Sequence, residues 1–315
     1  MPERHARERR FWARGHSGSR GLSRLRRPLR GLVGCLLLAM GCAGSHVAAR
    51  HPRSATRPPA PIDTTTAATG PLATPLDATA PEPRATTTTI GGAPRQLAGR
   101  IIALDPGHNG GNHLHTAEIN RLVDIGTQRK ACDTTGTASA DGYAEAAYTF
   151  DVATRLAGIL RTAGARVVLT RTDNNGWGPC IDERAAIANR AGADVALSIH
   201  ADGGPSSGRG FHVIYPPSLP GLTDDIAAAS RRLALDVRAA YAQGTGVPYA
   251  TYIGVDGLDQ RRDLGGLNLS DVPKVFIETG NMGNATDARL IEDPAFRDRV
   301  ARALMMGIRA FVDGR

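Results

Sequence analysis

The chain has 315 residues, 41% of them hydrophobic, and a formal charge of +8; that length allows one domain of about 200 residues with an appendage, or two small domains. The basic excess sits in residues 1–99, with 15 Lys and Arg against 5 Asp and Glu, while residues 100–315 carry 23 against 25. A nucleic-acid-binding domain would carry the excess on its folded part, so that partner class is excluded.

Ten arginines fall within the first 30 residues, followed by the apolar stretch GLVGCLLLAMGCAG. A basic lead, a short apolar region and small residues after it describe a secretory signal better than a membrane span, which needs roughly 20 apolar residues. Residues 1–49 are therefore read as an export segment, and the protein as secreted, periplasmic or wall-located. An N-terminal membrane or lipid anchor is the alternative, with Cys42 at an imperfect lipidation site. Residues 50–98 hold HPRSATRPPAPIDTTTAATGPLATPLDATAPEPRATTTTIGGAP, with nine prolines among Thr and Ala. So little apolar surface cannot form a core, which predicts a disordered linker.

The pattern changes near residue 99. RIIAL (100–104), RVVLT (166–170), DVALSI (194–199), FHVIY (211–215) and KVFIE (274–278) are Val- and Ile-rich runs bounded by turn residues and predict strands. After Asp141 as N-cap, Ala144, Tyr148, Val152, Leu156 and Leu160 form a helical stripe. Residues 182–191, 223–243 and 295–312 repeat that spacing. Strands alternating with helices predict, for residues 99–315, a single three-layer α/β domain with a mostly parallel central sheet flanked by helices.

In such sheets reactive groups collect beyond the C-terminal strand ends. His108 follows the first strand, His200 follows DVALSI and Glu278 closes KVFIE, so three candidate groups share one edge. Two imidazoles and carboxylates without thiolate match an open catalytic zinc site. The third ligand is open among Glu118, Asp133, Glu145 and Asp202. Glu145, in the first turn of its helix, is preferred, although an acidic residue there also compensates the helix dipole. Glu278 is left as a base that takes a proton from water and passes it to the leaving nitrogen.

LDPGHNGG, AEAAYTFDVATRLAGIL, RVVLTRTD, ERAAIANRAGADVALSIHADG and VFIETGNMGN, in this order over residues 100–312, resemble the zinc-dependent N-acetylmuramoyl-L-alanine amidases of the amidase_3 family. The resemblance implies one zinc ion held by His108, Glu145 and His200, with Glu278 as catalytic glutamate. It implies cleavage of the amide between N-acetylmuramic acid and L-alanine in peptidoglycan or its fragments. Departures from the family pattern are Asn109 in place of Gly, Asn281 where Phe is common, Gly283 where Ser is common, and a longer segment over residues 112–140. Other readings of the same site are a zinc wall peptidase, a deacetylase, or a silent wall-binding module.

Cys132 and Cys180, two lone cysteines in an exported chain, are expected to pair. Their bridge would pin the 112–140 segment to the 172–182 loop. Asp105 is expected to hold the second nitrogen of His108, and Arg171, Arg184, Asn189 and Asn284 to support the ligands or touch substrate. His113 and His115 read as surface, His212 as structural, and Met305 and Met306 as core or margin. No phosphate-binding glycine motif stands in the right context, so a nucleotide cofactor is not expected, and the enzyme is expected to act as a monomer on peptidoglycan or muropeptides.

Overall fold

The computed structural model describes residues 96–314; the export segment, Cys42 and most of the linker lie outside the described residues. In chain order the strands are β1 (Ile101–Pro106), β2 (Leu122–Asp124), β3 (Arg129–Ala131), β4 (Arg166–Leu169), β5 (Val195–Asp202), β6 (His212–Tyr215), β7 (Leu258–Gln260) and β8 (Lys274–Asn281). The helices are α1 (Thr116–Ile119), α2 (Glu145–Thr162), α3 (Ile181–Arg190), α4 (Ala227–Thr245), α5 (Gly265–Asn268), α6 (Ala285–Glu292) and α7 (Pro294–Asp313).

Six strands form one sheet in the order β4-β1-β5-β8-β6-β7, and β2 and β3 form a separate antiparallel pair. The four strands from β4 to β8 run parallel, while β6 pairs antiparallel with β8 and carries β7 parallel to itself. All five predicted strands are therefore present. The β2–β3 pair, β7, the short helices α1 and α5, and α6 had no counterpart among the expected elements.

The two faces of the sheet differ in thickness. Successive strand residues alternate between faces, so Ile102 and Leu104 point into the main core while Ala103 and Asp105 point away from it. Ile102, Leu104, Leu197, Ile199, Val275 and Ile277 meet Val152, Leu156 and Leu160 of α2, Val237 and Tyr241 of α4, and Leu304, Ile308 and Phe311 of α7. Leu97, read from sequence as linker, is fully buried in that core. On the opposite face Ala103 and Ala196 of the sheet pack with Ala188 of α3 and with Ala193, and there the small side chains leave room for the buried polar residues Asp105, Ser198 and Lys274.

Helix α2 begins later than expected. Its N-cap is Ala144, which supplies no side-chain cap, and Asp141 lies exposed in the preceding turn. The start is set by backbone instead, through the Ala138–Ala144 bridge and the bond from Glu145 N to Thr137 O (2.9 Å). Of the two methionines, Met305 packs against the core, but Met306 is an exposed side chain.

Helices α4 and α7 approach closely at Gly307, where an added Cβ would lie 2.7 Å from Val237 Cα. Gly158, on the exposed side of α2, has open space around it. Gly307→Ala should lower unfolding free energy by about 1–3 kcal/mol through overpacking, whereas Gly158→Ala should raise it by about 0.5–1 kcal/mol through helix propensity. Urea titration of both variants measures the two opposite signs.

Candidate metal centre

Strand β1 ends at Pro106, and the next two residues turn the chain sharply across the top of the sheet. A side chain at Gly107 would place Cβ 2.3 Å from the His200 ring, so glycine is the residue that lets the loop pass. His108 has φ 57°, a left-handed conformation that costs a non-glycine residue roughly 1–2 kcal/mol. The hydrogen bonds of its ring and carbonyl hold it there.

Nδ1 of His108 faces Asp133 Oδ1 (3.2 Å) and Thr134 O (3.1 Å), and Nε2 faces Glu145 Oε2 (3.2 Å). The other oxygen of Glu145 lies 2.9 Å from His200 Nδ1 and accepts from Ala201 N (3.2 Å). One buried carboxylate thus bridges two imidazoles, whose rings sit edge to face at 5.0 Å. His200 is backed by Phe276, stacked at 5.3 Å, and its carbonyl accepts from the Thr279 hydroxyl (2.7 Å), which itself accepts from Tyr148 (2.9 Å).

Donor atoms from His108, Glu145 and His200 lie within 4.8 Å of one another, and no other such cluster of His, Cys, Asp and Glu occurs among the described residues. The other carboxylates weighed as ligands stand elsewhere. Glu118 is exposed beside His115, Asp133 is behind His108, and Asp202 accepts from Tyr252 (3.0 Å).

The expected Asp105–His108 bond does not form; Asp133 takes that place. Asp105 instead accepts from Thr170, Ser198, Arg184 and Lys274. Burial alone would raise its carboxyl, but the charges of Lys274 and Arg184 outweigh burial and hold it far below the usual carboxylate range.

Arg184 is equally enclosed. It donates to Asp105 Oδ1 (2.9 Å), Asp133 Oδ2 (3.0 Å) and the carbonyls of Pro106, His108 and Pro179. With its donors engaged by the protein it supports the loop carrying His108 and has none free for substrate. The same applies to Arg171, which donates to the carbonyls of Pro106, Gly107, Ala146 and Asp173. Asn189 ties α3 to Leu269 O and Asp271 N, and Asn284 caps α6 by accepting from Thr286 N and Asp287 N. In the structure all four residues anchor loops and helices, which is the supporting role that the sequence reading also offered for them.

Glu278 is the register partner of His200 on the adjacent strand, and its Oε2 is buried without a hydrogen-bond partner. Burial, and then the carboxylates of Glu145 and Asp202, push it well above the ordinary carboxylate range against the pull of His108 and Arg261.

Cys132 and Cys180 form a disulfide, which joins the 112–140 segment to the start of α3. Closing that loop of 48 positions is worth about 4 kcal/mol in the loop-entropy picture. It also fixes Asp133, the next residue, against His108. His113 is exposed, and His115 stacks on Trp177 at 5.7 Å.

The sequence pattern of Amidase_3, N-acetylmuramoyl-L-alanine amidase, matches residues 102–310. The N-acetylmuramoyl-L-alanine amidase Rv3717 of Mycobacterium tuberculosis (strain ATCC 25618 / H37Rv) is 43% identical over 220 residues, 70% of this chain and 89% of the relative. This chain belongs to the Amidase_3 family. The crystal structure of the N-acetylmuramyl-L-alanine amidase Ami1 from Mycobacterium smegmatis superposes with a TM-score of 0.65 at 43% identity, covering 70% of this chain and 99% of the other. The apo form of Ami1 from Mycobacterium abscessus gives 0.64 at 43%, covering 69% and 100%.

Within the Amidase_3 pattern, the departures of this chain have structural reasons. Asn109 donates to Gly178 O (3.1 Å) and secures the loop beside the disulfide. Asn281, where Phe is common, is fully buried and donates to Pro205 O and Gly208 O. At Gly283 a Cβ would lie 2.5 Å from Gly204 O, which excludes the common serine at this backbone spacing.

Removing Arg184 would leave Asp105 and Asp133 facing each other without their shared cation. Arg184→Ala should therefore cost about 3–5 kcal/mol, measured by chemical unfolding of the metal-free protein. A substitution that merely lost a substrate contact would leave that stability unchanged.

Proposed function

We propose that this protein is a zinc-dependent hydrolase that cleaves the amide between N-acetylmuramic acid and the first L-alanine of the stem peptide. The observation that carries the reading is the cluster of His108, Glu145 and His200 with Glu278 on the neighbouring strand. The residues fit the ion. Two imidazoles and one carboxylate converge, no thiolate is among them, and three protein ligands are the number found at catalytic zinc sites that keep a position open. Glu278, with its enclosed and unpartnered Oε2, is outside that set.

His108 would bind through Nε2, because Asp133 and Thr134 engage Nδ1. Zinc, when bound, supplies Lewis acidity toward the amide carbonyl and toward water. Glu278 takes one proton from the attacking water and returns it to the departing nitrogen, so the lactyl group leaves as a carboxylate and the peptide as an amine. Its raised pKa suits both duties, since a base that must also serve as acid works best near the operating pH. Beside the two imidazoles a cavity of about 200 Å³, walled by Phe276, Leu264, Ile181 and Gly265 with Lys130, offers room for an apolar part of the substrate.

Export to the wall follows as part of this proposal. It is supported by the N-terminal pattern, by a disulfide of the kind that persists outside the cytosol, and by the wall chemistry in the relatives' names. No helix among the described residues is long and apolar enough to cross a membrane.

Digestion of soluble muropeptides by the native protein should release stem peptide with a new N-terminal alanine, detected by mass spectrometry, and a chelator should abolish it. Glu278→Ala should keep zinc and lose turnover. Products cut elsewhere in the peptide, or deacetylated sugar, would point to the rival hydrolases, and absence of turnover by the zinc-loaded native protein to a binding module. Full zinc occupancy in His200→Ala would refute the ligand set.

Metal binding should also release protons. In the metal-free protein burial opposes charge on His108, but Glu145 and Asp133 prevail and raise it to about 10. At pH 7 the ring is therefore protonated, and a metal must displace that proton. Apparent zinc affinity should rise with pH by roughly tenfold per unit below that value. Calorimetry in buffers of differing ionisation enthalpy should return about one proton per ion.

A further inference from the structure

Glu278 has a second neighbour across the sheet. In the antiparallel β6–β8 pair its direct partner is His212, and directly opposed residues project from the same face with Cβ atoms roughly 4.5–5.5 Å apart. His200, Glu278 and His212 therefore form a row across β5, β8 and β6.

His212 is almost completely buried, at 1% exposure, and its Nδ1 has no hydrogen-bond partner. Glu278 Oε2 is in the same condition. Buried polar atoms without partners are rare in folded proteins, and here two of them belong to one cross-strand pair. They are also complementary, since a carboxylate oxygen accepts and the Nδ1–H of a neutral imidazole donates. Burial lowers the His212 pKa against the pull of Asp202 and Asp259 and with the push of Arg261, which favours that neutral form. Tyr252 packs edge-on to the His212 ring at 6.4 Å and donates its own hydroxyl to Asp202, so the ring is held in place by a group whose polar end is engaged elsewhere.

We propose that His212 is a positioning residue for Glu278, its Nδ1–H reaching Oε2 through one bridging water and leaving the other carboxylate oxygen for the reaction. The proposal rests on Glu278 acting as the base. His212 keeps its proton throughout: water gives a proton to Glu278, and Glu278 returns it to the departing nitrogen.

Two substitutions in the full zinc-loaded chain test this. His212→Phe keeps ring shape and burial but removes the donor; it should lower kcat by about tenfold or more with KM and zinc stoichiometry unchanged. His212→Asn carries an amide nitrogen where Nδ1 stood and should restore kcat to within about threefold. Wild-type kcat in His212→Phe would overturn the proposal, as would equal loss in both variants. Nitrogen-15 NMR of the His212 ring gives an answer independent of turnover and of whether His212→Phe folds. The Nδ1–H signal should shift on Glu278→Ala, and an unmoved signal overturns the pairing. Failure of the underlying reading looks different, because Glu278→Ala would then hydrolyse substrate normally.

Discussion

The site depends on one enclosed guanidinium. Arg184 stands between Asp105, at the end of β1, and Asp133, next to the disulfide, and it also binds the carbonyl of His108. Each carboxylate would be costly to bury alone, and their shared cation makes the burial tolerable. Lys274, from β8, pairs with the second oxygen of Asp105. Two anions and two cations thus tie β1, β8, α3 and the 112–140 segment together beneath the imidazoles. The His108 ring is oriented by the far end of this chain of charges, through Asp133.

This arrangement is possible because the sheet is covered unequally. Three long helices bury large aliphatic side chains on one face, and this is where most of the hydrophobic stabilisation resides. On the other face, alanines leave space that is filled by charged and hydroxyl groups. Thr279 joins the two regimes. Its hydroxyl holds the His200 carbonyl, while Tyr148 and Tyr241, both embedded in the main core, donate to its side chain and its carbonyl. The carbonyl of His200 is therefore tied, through Thr279, to two tyrosines of the main core.

Much of this was legible in the sequence. Strand composition and helical spacing identified every strand of the sheet except β7, and the position of His108, His200 and Glu278 just beyond strand ends placed them on one edge. What escaped is non-local. The partner of His108 is Asp133 rather than Asp105 because pairing is decided by how the 112–140 segment folds back, and no local pattern encodes that. Helix α2 starts at a backbone bridge from Thr137 and Ala138, whereas local capping preference points to Asp141. Arg171, Arg184, Asn189 and Asn284 carry donors that suit a substrate, and only the folded hydrogen bonds show them engaged by other parts of the chain. The register pairing of His212 with Glu278 is equally non-local, since the two lie 66 positions apart.

The order of the strands carries one more implication. Among the described residues β8 is the last strand in the chain, yet it occupies the interior of the sheet, between β5 and β6. A ribosome that has not yet released residue 281 exposes a half-sheet ending at β5 and a β6–β7 ribbon with nothing to join them. Such a chain already contains His108, Glu145 and His200, while β8 with Glu278 has still to enter between the two parts. Topology thus delays closure of the sheet until the chain is nearly complete, because the strand that carries Glu278 is also the one that joins its two halves.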